Sequence, residues 1–278
     1  MHKSLISFLL LLFMMSCTQN DSQIAGSDKK IVVLSPEIAE IICKIGGEEN
    51  IVAVTRECDF PKSLKQKIQV GSFSRPNIEK IISLQPDIIM LSGLEQDIVK
   101  SNFEKLGTNI YQFYPANVDS LLSAIKKIGI LVGEEKNAQN LVKEFKTNLA
   151  RIPFREKKPT IYIEIYDKPI MTVSSESFIG NLIEKSGGEN IFNQLPRDYC
   201  RISTERVIAQ NPNIIFILYP GITKSDIANR LGWDKIDAVK NRQIYTTQDL
   251  NNNHFLRAGP RSLLAIEKID SIIGNYHK

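Results

Sequence analysis

"NIEKIISLQPDII" at residues 77–89 and "STERVIAQNPNII" at residues 203–215 are two versions of one phrase. Laid on each other, they match at five of thirteen positions: Glu79 with Glu205, Ile82 with Ile208, Pro86 with Pro212, and Ile88-Ile89 with Ile214-Ile215. Each copy reads as a short helix, stopped before a proline that cannot continue it, and then a buried strand. Upstream of each stands a helix closed by two glycines, in GGEENI at 46–51 and GGENI at 187–191. The phrase and its preface occur twice, so the chain reads as two related α/β units.

Working outward, residues 31–35 (IVVLS) read as a strand, and Pro36 takes a natural first helical position. Ile38, Ile41, Ile42 and Ile45 share one face of the helix that follows. A short strand at 51–54 comes next, then an aperiodic loop at 58–74. After the first phrase come a helix near 95–106 and a strand at 109–113. Residues 119–152 form the longest helical stretch, broken near its middle by Gly129 and Gly133. The second half restarts with a strand at 160–166 and a helix at 177–186. After the second phrase, helical pieces span 225–239, a strand 243–246, and a last helix runs from 261 to about 274. Strands alternating with helices predict parallel sheets. The expected architecture is α/β: two Rossmann-like lobes, 31–118 and 153–278, joined by a long connecting helix at 119–152. Loops after the strands of both lobes then face each other across a cleft, where ligands of open α/β sheets bind.

The first residues lie apart from this pattern. A basic start and the apolar run Leu5–Met15 are too short to span a bilayer, and read as a signal peptide over residues 1–16. The run ends in Ser16-Cys17, which resembles the bacterial lipoprotein signal, in which the cysteine becomes a lipidated N-terminus. Residues 17–30 are polar and small, a tether. The expected location is outside the cytoplasm, anchored to a membrane by lipid. Cys43, Cys58 and Cys200 form no disulfide framework and no zinc pattern, and any one bridge among them is left open.

With 42% hydrophobic and 24% charged residues, the composition allows a sizeable core. The net charge of +4 comes without a dense basic block, which argues against nucleic acid. There is no GxSxG elbow, phosphate-binding loop or HExxH, and His254 is the one histidine in the body of the chain. Binding is favoured over catalysis, and a monomer is expected.

Cys58-Asp59-Phe60-Pro61, Val70-Gly71 and Gln85-Pro86-Asp87, within residues 58–91, resemble the cobalamin-binding members of the periplasmic substrate-binding proteins of ABC importers. The likeness continues through 174–192, the second phrase and RAGPRSLLAIEKI at 257–269, and covers nearly all of 31–275. It implies lobes on a rigid helical connector, opening only slightly. It implies that Glu79 and Glu205 dock on arginines of a two-fold permease, whose ATPase partners supply the energy. Both glutamates also suit helix N-termini. Phe73 and Tyr199, six residues before each glutamate, would flank a flat corrin, with Phe60, Tyr166 and Met171 extending the wall. Asp59 would accept hydrogen bonds from corrin amides, and Pro36 is a further contact position. The cargo is transported, so no cofactor of the protein's own is implied. Arg75 and Arg201, four residues before each glutamate, would suit instead an anionic ferric siderophore or haem propionates, or be ordinary surface charge. His254, in a polar NNNH loop, is a candidate axial ligand for iron or cobalt.

Overall fold

The computed structural model describes residues 29–93, 97–104 and 107–276. The expected signal peptide, Cys17 and the tether as far as residue 28 lie outside the described residues.

In the first half, Ile31–Val33 (β1), Ile51–Val54 (β2), Ile68–Gln69 (β3), Ile88–Leu91 (β4) and Ile110–Gln112 (β5) form one sheet. Its order is β3-β2-β1-β4-β5, and every pairing is parallel. β1 and β4 are buried along their whole length, as expected of parallel strands covered on both faces. The helices are Pro36–Lys44 (α1), Ile78–Ser83 (α2) and Asp97–Glu104 (α3). Pro36 sits inside the first turn of α1 and is buried. Asn77 caps α2 by accepting from the Lys80 amide. Residues 58–74 hold more structure than their lack of period suggested: a turn of 3-10 helix at Lys62–Gln66, and β3 at the sheet edge.

The second half repeats the plan. Thr160–Glu164 (β6) pairs with Glu189–Asn190 (β9) on one side and Ile214–Ile217 (β11) on the other, and Ile244–Tyr245 (β12) follows β11. The order β12-β11-β6-β9 mirrors β5-β4-β1-β2. The repeated phrase is thus α2–β4 in one half and Thr204–Gln210 (α7) with β11 in the other. The sequence did not announce a small antiparallel sheet of Tyr166–Asp167 (β7), Ile170–Val173 (β8) and Tyr199–Arg201 (β10), in order β10-β8-β7. Helices Phe178–Lys185 (α6), Lys224–Ala228 (α8), Asp237–Lys240 (α9), Asn252–Leu256 (α10) and Ser262–Tyr276 (α11) complete this half. The NNNH stretch, read as a loop, opens α10.

Between the halves run Val118–Val132 (α4) and Glu135–Ala150 (α5), two helices where one broken helix was expected. Asn117 and Ser120 close a capping box at the start of α4, and Gly133, at φ 78°, ends it. Gly129 stays helical. A Cβ there would stand 2.4 Å from that of Ala138, so glycine is what lets α4 and α5 touch. The Val118 amide donates to Asn181 of α6, while Asn137 of α5 donates to the Ile45 carbonyl at the end of α1. The helix pair therefore bonds to both halves. One apolar core runs from Ile31 and Met90 through Leu121, Ile125 and Phe145 to Ile163, Phe216 and Ile266. A core shared in this way opposes large relative rotation of the halves.

All three cysteines in the described residues are free thiols. Burial first, and Glu48 second, push the Cys43 thiol up to about 12. Among the described residues, no helix is long and apolar enough to cross a membrane.

Candidate functional site

In a sheet ordered β3-β2-β1-β4-β5, the strand order reverses between β1 and β4, and a crevice opens beyond their carboxyl ends. Glu37, just after β1, and Ser92, just after β4, line a cavity there. Tyr114–Ala116, after β5, complete its first-half side. Phe178, Tyr199, Leu256 and Ala258 face them from the second half. The enclosed floor is small, about 70 Å³. Above it Tyr114, Tyr199 and Leu256 stay 45%, 40% and 45% exposed, so the aromatic rim is accessible. Ligand sites for small molecules usually hold about 300–1,000 Å³. A macrocycle would therefore lie against this rim rather than within the floor.

The antiparallel sheet explains how four candidates come together. Arg201 pairs with Met171, Met171 with Tyr166, and Tyr199 with Val173. Side chains alternate along a strand, so Tyr166, Met171, Tyr199 and Arg201 share one face. Of these four, Tyr199 lines the cavity itself.

Asp59, Phe60 and His254 gather elsewhere, around an ion network that sequence reasoning missed. Glu40, on α1 and 3% exposed, accepts from Arg261 Nε at 2.7 Å and Nη2 at 2.5 Å. Arg257 Nη1 donates to Glu40 Oε1 at 3.0 Å and Asp59 Oδ1 at 2.8 Å. The Arg261 guanidinium lies 4.3 Å from the Phe60 ring centre, a cation–π contact. Burial alone would raise Asp59, but the Arg257 hydrogen bond and charge hold it below its ordinary 3.8. Burial opposes the charge on Arg257, yet Asp59 and Glu40 raise its pKa. Two arginines thus face two carboxylates. The RAGPR stretch carried the signal, with two basic residues bracketing Gly-Pro, and so did an acid in the apolar run of α1.

His254 is part-buried beside this network. Burial, then the Arg261 charge, lower its pKa below 6.5, and Glu40 only partly offsets them. A base whose folded pKa is depressed takes up protons more readily when unfolded. Its contribution is complete above about pH 6.5 and is lost as pH falls toward the lowered folded value. Thermal melts between about pH 7 and pH 5.5 should show stability falling with acid, and His254→Asn should flatten that slope. Parallel slopes would show that His254 does not titrate in this way.

The remaining candidates stand apart. Phe73 and Arg75 occupy a tight turn closed by a Gly71–Pro76 bridge, whereas Tyr199 and Arg201 lie in a strand. The sequence pairs them; the local backbone does not. Gly71 has φ 99°, and a Cβ there would meet the Arg75 carbonyl at 2.6 Å, so that turn needs glycine. The Phe73 amide donates to Glu57 at 2.9 Å, and Arg75 is exposed. Pro36 is buried, so its part is to open α1 rather than to offer a contact surface. Glu79 and Glu205 are exposed in the first turns of α2 and α7. The backbone amide and the Ser203 and Thr204 hydroxyls lower the Glu205 pKa. Among the described residues, no three His, Cys, Asp or Glu side chains gather to hold a metal ion.

Comparison with known proteins identifies the family and the fold. The periplasmic binding protein family model matches residues 31–250, and the chain belongs to that family. It is an extracytoplasmic substrate-binding protein of an ABC importer, not an enzyme. A vitamin B12-binding protein of Vibrio vulnificus is 26% identical over 271 residues, 95% of this chain and 94% of that one. A solved structure from Staphylococcus epidermidis, a possible iron-binding periplasmic solute-binding protein, is 29% identical. Its TM-score is 0.76, over 91% of this chain and 100% of that one. S. aureus IsdE complexed with heme shares the fold at 20% identity and TM-score 0.76, over 89% of this chain and 99% of that one.

Proposed function

We propose that the protein captures a cobalamin-type corrinoid between its halves and delivers it to a two-fold permease, docking through Glu79 and Glu205. It is held at the membrane by lipid on Cys17. The observation that carries the cargo is the make-up of the cleft. Tyr114 and Leu256 stand opposite or beside Tyr199, and Tyr166 and Met171 extend the Tyr199 face. Flat aromatic faces bury much of a macrocycle at little entropic cost. Arg257 and Arg261 are already committed to Glu40 and Asp59, which leaves that flank balanced in charge and suited to an amide-fringed ring. The 26%-identical B12-binding relative supports the same cargo.

A second reading keeps the fold and exchanges the cargo for haem or a ferric siderophore. It is favoured by the exposed Arg201, on the same strand face as Tyr199, and by His254, whose lowered pKa keeps the imidazole neutral. The iron-binding and haem-bound neighbours add to it.

Calorimetric titration of residues 21–278 with cyanocobalamin, haemin and a ferric siderophore in turn tests both. Saturable one-to-one cyanocobalamin binding with Kd below about 1 μM is expected. Tyr114→Ala with Tyr199→Ala should weaken it by about tenfold or more. Binding of haemin alone, weakened by Arg201→Ala or His254→Ala, would replace the first reading with the second.

A further inference from the structure

The repeated phrase shares an isoleucine as well as an acid, and the acid alone leaves it unexplained. Ile82 follows Glu79 by three residues on α2, so the two sit together on one helix face. Ile82 is 43% exposed. Its counterpart Ile208 follows Glu205 in the same way but is less exposed, part-buried against the second-half core. Gly232, at φ 78°, folds over it, and a Cβ at Gly232 would lie 3.1 Å from Ile208 Cδ1. The turn that covers Ile208 carries Leu231, 96% exposed, at the top. Leu231, Ile208 and Glu205 line one hollow of about 460 Å³.

We propose that each half offers the permease an acid and one aliphatic side chain: Glu79 with Ile82, and Glu205 with Leu231. This rests on the permease-docking reading above. An isolated exposed leucine on a surface needs no explanation. Here, however, the second half partly covers its own isoleucine and puts a far more exposed aliphatic residue, Leu231, in the same hollow as the acid. Leu231 is also held in place. Its neighbour Arg230 is tied to Glu164, the Trp233 amide donates to the Arg230 carbonyl, and Trp233 is fully buried. The partner these pairs fit is a membrane protein of two like subunits, each presenting a cation with an apolar side chain next to it. The acids steer the encounter, and the aliphatic pair excludes water once contact is made.

The test compares the full chain with Ile82→Gln/Leu231→Gln and with Glu79→Gln/Glu205→Gln. Each is titrated against the permease–ATPase complex of the same organism in nanodiscs, at low and high salt. All four positions are on the surface, so melting temperatures should stay close to the parent chain's. The aliphatic pair should weaken binding by about tenfold at both salt concentrations. The acid pair should act mainly at low salt, through slower association. If the aliphatic pair binds like the parent while the acid pair does not, this proposal falls and the docking acids stand. If Leu231→Gln alone accounts for the whole loss, the two-sided form falls. If both pairs bind like the parent, the docking reading falls and takes this proposal with it.

Discussion

Glu40→Ala is expected to cost about 3–5 kcal/mol of stability, because it strips a buried carboxylate from two arginines that remain behind. The Arg257 and Arg261 side chains are each 15% exposed, and that of Glu40 2%. After the replacement, Arg257 keeps its hydrogen bond to Asp59, whereas Arg261 keeps the face of Phe60 and the more distant Asp59 charge but no hydrogen-bonded carboxylate among the described residues. Urea unfolding is the measurement. A lower midpoint at unchanged slope reports lost stability, while a lower slope would mean that the native state itself has loosened. Glu40→Gln keeps the shape and one acceptor oxygen, and should lose less than alanine. A loss below about 1 kcal/mol for alanine would place the pair among solvent-screened contacts and overturn the reading. The network is also the polar tie between α1 and the segment entering α11. Amide exchange in α11 should therefore quicken more than in β4, which lies away from the network.

The comparison of sequence with fold turns on how far apart interacting residues lie. Pro36, Gly46-Gly47 and the repeated phrase are local signals, and they located β1, α1, α2 and β4 to within a residue or two. The parallel sheets followed from their alternation. The β7–β8–β10 sheet escaped because β7 has only two residues and β10 three, too short for a period to register. α10 escaped because asparagines more often punctuate than build helices. For the connector, glycine placement was legible but its two effects were not separable. Gly133 ends a helix, whereas Gly129 allows one helix to lie against another, and only the Ala138 neighbour distinguishes them.

The same logic governs the site. Tyr166, Met171, Tyr199 and Arg201 were named from the chain, yet what unites them is the register of strands that the chain did not announce. Glu40 and Arg257 are 217 residues apart, and no spacing rule reaches that distance. Sequence reasoning looked for symmetric arginines and found Arg75 and Arg201. The structure instead pairs Arg257 and Arg261, both largely buried, with Glu40 and Asp59, and neither has a counterpart in the first half of the chain. Tyr114 was passed over because it lies in the loop after β5 with no motif around it, and only the meeting of the two halves sets it near Tyr199.

Glu164→Ala should be at least as costly as Glu40→Ala, about 3–5 kcal/mol, and it should reach the proposed docking face as well. Glu164 ends β6 at the second sheet's own reversal of strand order, between β6 and β11. A ligand crevice is expected at such a point. Here it is filled. Glu164 is fully buried and takes both Arg230 nitrogens at 2.7 Å, Tyr219 Oη at 2.5 Å and Tyr162 Oη at 2.8 Å. Burial first, and then Glu164, raise both tyrosines above their ordinary range, so each stays a neutral donor. The Arg230 guanidinium lies 4.7 Å from the centre of the Trp233 ring. Alanine at 164 would leave that guanidinium with Tyr219 and the indole face alone, and the turn bearing Leu231 would lose its anchor. Glu164→Ala should therefore weaken permease binding at temperatures where the chain is still folded, with ligand affinity unchanged. Glu164→Leu with Arg230→Met removes both charges and should recover most of the stability, since a well-packed apolar pair often matches a buried ion pair. It should not recover the permease affinity, because Leu231 is presented by the guanidinium anchor rather than by stability as such. Recovery of both together would mean that the cluster serves only the fold.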